Sequence, residues 1–184
     1  MSAPPDLETI RAEYEAFPAR FQSLLMATVN GKGEPNASYA AYVRHGVDFY
    51  VYVSELAAHT RNLREQGKAS VLFIENEADS SNLFARRRLT YQCTAHAVPR
   101  GEGEFTRIID AFSHKFGGTM DVLKDMKDFH LYRLQPHKAT YVAGFARAFV
   151  IEGEELTRLR HLNEVGHRAG SAETQQKADA LQSA

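Results

Sequence analysis

A chain of 184 residues with 43% apolar content can bury one sizeable core, and its 22 basic against 23 acidic residues leave a net charge of -1. That balance excludes nucleic-acid binding through the whole surface, so any basic site has to be local, as in Arg86, Arg87 and Arg88. A single cysteine, Cys93, excludes an intramolecular disulfide and a cysteine-rich zinc site, and no apolar run approaches the ~20 residues of a membrane span. Residues 1–8 lack a basic stretch leading into an apolar one, so the expected location is the cytoplasm, without membrane insertion.

Leu7, Ile10, Tyr14, Phe17, Phe21 and Leu24 recur at spacings of three and four, an apolar helical stripe with Asp6 as N-cap and Pro18 as a break or restart. Strands are expected at 23–29, 36–44 and 47–53, an antiparallel meander punctuated by the turn residues 30–35 and by His45-Gly46. A short helix over 58–66, closed by Gly67, and a strand over 69–75 follow. Residues 83–98 read as a further strand. From Arg88 onward Arg88, Thr90, Gln92, Thr94 and His96 alternate with Leu89, Tyr91, Cys93, Ala95 and Ala97, which puts Cys93 on the dry face as a buried, inert thiol.

Phe105, Ile108, Ile109, Phe112 and Phe116 mark a second amphipathic helix that stops at Gly117-Gly118, with another short helix over 121–127. Strands at 129–135 and 139–151 and a helical 154–163 come next, and 170–184 has the composition of a mobile tail. About six strands, mostly joined as hairpins with helices inserted, predict a mainly β (α+β) fold built on a small antiparallel barrel. The corresponding organisation is an N-terminal helical arm over 1–22, a barrel domain over 23–151, and a C-terminal helix and tail over 152–184.

Alternation aims Arg86 and Arg88 at the polar side of their strand and Arg87 at the side of Leu89. An ordinary strand-edge salt bridge is the first reading of Arg88 from the residues alone; of the three it is also the arginine placed to look into a cleft, where its permanently charged fork would suit a carboxylate or phosphate. The eight histidines, at 45, 59, 96, 114, 130, 137, 161 and 167, form no His-Glu-x-x-His pair, and Gly101-Glu102-Gly103 lacks the third glycine of a nucleotide loop. His59, near a helix start, reads as a surface or capping residue. His167, in Val165-Gly166-His167-Arg168, is either an exposed residue without a role or a group free to reach another surface.

Five blocks carry a resemblance: Ser23-Leu-Leu-Met-Ala-Thr-Val with Gly33-Glu-Pro-Asn-Ala-Ser-Tyr-Ala, Ala58-His-Thr-Arg-Asn-Leu, Leu83-Phe-Ala-Arg-Arg-Arg-Leu-Thr, Asp128-Phe-His-Leu-Tyr-Arg-Leu-Gln-Pro, and Gly166-His-Arg. Over about 23–168 the chain resembles the haem-utilisation proteins of the HutZ/HugZ type, a branch of the flavin-binding split-barrel superfamily that includes the pyridoxamine phosphate oxidases. The resemblance implies a six-stranded antiparallel split β-barrel that forms a homodimer, with ligand sites between subunits. It implies that His167 ligates haem iron, that Asp128 of the partner subunit orients that histidine, that Arg88 lies on the distal side, and that His59 borders the haem or the subunit contact. The implied activity is haem degradation of the haem oxygenase type, releasing iron and drawing on an electron donor. In the flavoenzymes of the superfamily an Arg-Lys pair at the start of the helix after the third strand grips the FMN phosphate. The matching residues here are Ala58 and His59, which puts haem ahead of FMN, although Arg61 and Arg88 are available to replace part of the clamp. An FMN-binding oxidoreductase and a haem carrier without turnover are the alternatives.

Overall fold

The computed structural model describes residues 6–145 and 147–162, together with Lys177. Its strands are β1 (Ser23–Val29), β2 (Pro35–His45), β3 (Asp48–Ser54), β4 (Lys68–Ile74), β5 (Arg88–Val98), β6 (Phe129–Gly144), β7 (Arg147–Glu152) and β8 (Arg158–His161). Its helices are α1 (Leu7–Ala16), α2 (Ala58–Gln66), α3 (Gly103–Phe116) and α4 (Gly118–Leu123). The strands pair in the order β3-β2-β1-β4-β5-β6-β7-β8, and β3 also pairs with β6. That last pairing closes the first six into an antiparallel barrel, in agreement with the expected mainly β split barrel, with β7 and β8 as additions.

Contacts divide the chain into two units, one of residues 21–72 and 91–137, the other of the described residues up to 20, 73–90 and from 138 onward. In the first, β3 is the strand on which packing converges. Every residue from Phe49 to Val53 is buried, because the strand has apolar groups on both faces. Phe49 packs against Tyr91 in a tilted arrangement with ring centroids 4.9 Å apart. Tyr50 and Tyr52, pointing the other way, join Val98, Leu131 and the apolar stripe of α3, namely Phe105, Ile108, Ile109 and Phe112. The long-range ladder from Phe49↔Leu134 to Ser54↔Phe129 then fixes the start of β6 beside the end of β3.

Arg100, in the turn after β5, secures the segment that leads into β6. Its guanidinium donates to the Tyr52 hydroxyl at 2.7 Å, to the Lys124 carbonyl at 2.9 Å and to the Phe129 carbonyl at 3.2 Å, and lies over the Phe105 ring. Five donors in a rigid plane can hold several carbonyls at once, which a lysine could not do.

In the second unit, α1 starts at Asp6, whose side chain accepts from the Glu8 N–H at 3.1 Å as an N-cap. Tyr14 donates its hydroxyl to the Leu156 carbonyl at 3.2 Å, and Phe17 meets the Tyr141 ring at 5.8 Å. The apolar stripe of the arm is thus spent on its own chain, against β6 and the turn ahead of β8.

Several boundaries differ from the periodicity reading, each for a local reason. The helix ends earlier: Phe17–Arg20 is a 3-10 turn around Pro18, and Leu24 belongs to β1. The strand expected from 83 begins only at Arg88, because Asn82 accepts the Phe84 N–H at 3.0 Å and winds Leu83–Ala85 into a 3-10 turn. At the other end of β5 the alternation slips, leaving Ala97 exposed and Val98 buried under α3. The two strands expected over 129–135 and 139–151 divide at a different place. A 16-residue β6 runs through Pro136, whose fixed φ suits an extended chain, and the break comes at Phe145 before β7. Over its described residues, 154–162, the helix expected at 154–163 is not an α-helix: a 3-10 turn with positive φ at Glu155 and Leu156 leads into β8, which pairs with β7. The helix expected over 121–127 is α4, six residues long and starting at Gly118.

Gly67 ends α2 at φ +61, with its N–H on the Leu63 carbonyl at 3.0 Å. An added Cβ would meet nothing closer than the Ala95 carbonyl oxygen at 3.7 Å, so a side chain there costs backbone strain and not a clash. Gly67→Ala is expected to cost about 1–2 kcal/mol of stability, read as a lower urea midpoint with an unchanged slope.

Candidate active site at the β3–α2 turn

Closure of β3 onto β6 places the start of β6 against the turn between β3 and α2. The Ser54 hydroxyl donates to Asp128 Oδ2 at 3.2 Å, and the Asp128 carbonyl accepts the Glu55 N–H at 2.8 Å. Ser54 also accepts the Leu56 N–H on its Oγ at 3.2 Å and the Thr60 hydroxyl on its carbonyl at 2.6 Å. These bonds lock Asp128, the turn and the first turn of α2 into one network. Among the described residues nothing donates to Asp128 Oδ1, which is left as an acceptor for an incoming N–H.

His130 Nε2 lies 2.6 Å from Glu55 Oε1. Beside this pair opens a recess of about 280 Å³ lined by Glu55, Leu56, Ala57, Ala58, Thr60, Arg61 and Arg64. Leu56 is 93% exposed, an apolar side chain held in solvent by the turn it occupies. His59, on the first turn of α2, is half-buried, and burial pulls its imidazole below the usual histidine range, so it is neutral at pH 7. The N-cap of α2 is Ala57, which makes no side-chain cap bond.

The three consecutive arginines, in the other unit, take different partners. Arg86 donates to the Glu75 carbonyl and pairs with Glu77 at 3.1 Å. Arg87 gives Glu75 two bonds, its backbone N–H to Oε1 at 2.7 Å and its Nε to Oε2 at 2.9 Å. Arg88, half-buried, donates to the Arg86 carbonyl at 3.0 Å, and among the described residues no carboxylate reaches it. Cys93 is buried at 2% exposure and its thiol is pushed up to about 12 by burial, the inert role expected of it.

Of the four residues singled out in the sequence, the structure therefore brings Asp128 and His59 onto one hydrogen-bonded turn, and Arg88 belongs to the other unit. His167 lies outside the described residues, as does nearly all of 170–184. Residues that periodicity did not single out are Ser54, Glu55, His130 and Arg64. The only signal for His130 was its place two residues after Asp128, on the same side of a strand. Among the described residues no group of three or more His, Cys, Asp or Glu can hold a metal ion, and no helix is long and apolar enough to cross a membrane.

The family model for pyridoxamine 5'-phosphate oxidase matches residues 10–143. The chain belongs to that family. Within it the resemblance is to the HutZ type: the chain is 36% identical to heme oxygenase HutZ of Vibrio cholerae over 159 residues, 86% of this chain and 90% of that one. A solved structure of HutZ from the same organism, described as a heme storage protein, superposes with a TM-score of 0.65 over 68% of this chain and 89% of that one. ChuZ of Campylobacter jejuni superposes with a TM-score of 0.81 at 30% identity, covering 91% of this chain and 68% of that one.

Glu75 gives a sign-defined pH effect. Burial pushes its carboxyl up, but the bonds from the Arg87 backbone and guanidinium and the charge of Arg87 outweigh it and hold it below the usual glutamate range. A carboxyl lowered on folding stabilises above its unfolded value and loses that contribution as the pH falls through its folded value. Glu75→Gln is expected to cost on the order of 1.5–3 kcal/mol near neutral pH and to flatten the acid limb, measured by urea unfolding at a series of pH values.

Proposed function

We propose that the chain binds haem between the subunits of a cytoplasmic homodimer and degrades it, freeing iron. The observation that carries this reading is Asp128: a carboxylate anchored on one oxygen by Ser54, with the other oxygen, which no described residue donates to, able to accept an imidazole N–H. The residues at hand fit the group. An exposed Leu56 with Ala57 and Ala58 offers an apolar seat, and the neighbouring arginines offer charge for carboxylates. Support also comes from relatives whose names include heme oxygenase and heme storage protein.

In this reading His167 supplies a neutral imidazole nitrogen to the iron, and Asp128 of the partner subunit accepts the proton on the other nitrogen. That bond fixes the ring and raises its basicity. Arg88, which among the described residues meets no carboxylate, would supply a fixed positive charge to the ligand. His59, whose imidazole burial holds below the usual histidine range, borders the haem or the subunit contact. Bound haem would supply the redox chemistry, with dioxygen as the oxidant and an external donor as the source of electrons.

The two names given to HutZ also favour a specific second reading, a haem carrier with the same His167 and Asp128 but no turnover. An FMN oxidoreductase ranks behind both, because Ala58 and His59 occupy the positions of the phosphate-gripping pair.

Hemin added to the purified protein should give the Soret band of histidine ligation, and His167→Ala should abolish it. No spectral change in the parent overturns haem binding, and a protein that is yellow as purified favours FMN. With ascorbate in air and catalase present, the Soret band should decay with release of iron, more slowly in Asp128→Asn while hemin affinity falls less. Haem that survives for hours under those conditions makes the protein a carrier.

A further inference from the structure

Arg61 and Arg64 stand three residues apart on α2 and both line the recess beside Leu56. That spacing puts them on one face of the helix with Cβ atoms about 5–6 Å apart. Both are exposed, and among the described residues neither has a hydrogen bond or ion pair to a carboxylate. The carboxylate on the same recess, Glu55, is already taken by His130 at 2.6 Å. Among the described residues the recess thus sets two guanidinium groups without a carboxylate partner next to an apolar side chain that is 93% exposed. A flat apolar body with two neighbouring carboxylates on one edge has the complementary pattern.

We infer that Arg61 and Arg64 grip the paired carboxylates at the edge of a porphyrin whose ring lies against Leu56. The inference rests on the haem reading and adds residues and an orientation to it. The volume agrees: about 280 Å³ falls just below the usual range of ligand pockets, enough for a ring edge with its carboxylates and too little for a whole porphyrin. An arginine fork holds a carboxylate by two parallel bonds, so two arginines fix both the position of the edge and the tilt of the ring. A charge-assisted bond of this kind contributes about 1.5–3 kcal/mol, so the loss of one arginine should weaken binding roughly tenfold or more.

The experiment is a Soret titration of the full chain with hemin and with hemin dimethyl ester, in the parent and in Arg61→Ala, Arg64→Ala and the double variant. FMN binding is followed in parallel by fluorescence. Because both side chains are exposed, unfolding midpoints close to the parent's will show that the variants fold. Each single variant should bind hemin about tenfold more weakly, and the double variant about a hundredfold. Lysine at either position should restore part of the affinity. The dimethyl ester should bind the parent about as weakly as hemin binds the double variant, and the substitutions should not weaken it further. Full hemin affinity in the double variant, or equal losses for hemin and its ester, overturns the carboxylate grip while leaving haem binding intact. Tight FMN binding that the double variant loses, with hemin unaffected, makes the pair a phosphate grip and also overturns it. A parent protein that takes up no hemin overturns the haem reading and this inference together.

Discussion

The pairing of β3 with β6 is the constraint on which the rest depends. It joins residues about eighty positions apart, from Phe49↔Leu134 to Ser54↔Phe129, and it turns an open six-stranded sheet into a ring without free edges. Such a contact bears a large loop-closure cost before it returns anything, and burial on both faces of β3 offsets that cost. Tyr50 and Tyr52 under α3, and Phe49 and Val51 on the other side, make this strand the point where two layers of packing share one backbone.

The candidate site is a by-product of that closure. A ladder that ends with Ser54 opposite Phe129 leaves the residues just outside it, Glu55 and Asp128, at the mouth of the ring, where their backbones bond to each other. Arg100 adds the second restraint by tying the 124–129 segment to Tyr52, so the carboxylate of Asp128 is held from both ends. Function placed on a turn with a rigid ladder behind it has the precision of the strand and the access of a loop. The recess, the Glu55–His130 pair and the exposed Leu56 are all features of this one corner.

Much of the fold was legible in local patterns. The alternation from Leu89 to Ala95, the apolar stripe of α3 and the Gly67 stop of α2 each follow from a period or from a residue with a special backbone preference. Misreadings came where a local bond overruled the period, as at Asn82, or where a strand neighbour supplied partners that the chain could not announce, as for β8 beside β7. Pro136 is instructive: proline signals a break by its missing N–H, yet its fixed φ is close to extended, and β6 continues through it.

The arginine run separates the two kinds of information. Alternation alone set Arg87 apart from Arg86 and Arg88, because successive side chains on an extended chain must point to opposite sides. Which arginine meets a carboxylate depended on where Glu75 and Glu77 fall after β4 turns back, and that is tertiary. By itself, then, the sequence determined most element types, most dry and wet faces, the absence of an intramolecular disulfide and the family motifs, since nearly all of these depend on residues within a few positions of one another. Only the tertiary structure decided that Ser54, Asp128, Arg61 and Arg64 share one corner and that Glu55 is occupied by His130. Those are meetings across a closed ring, and no local period encodes which strands will close it.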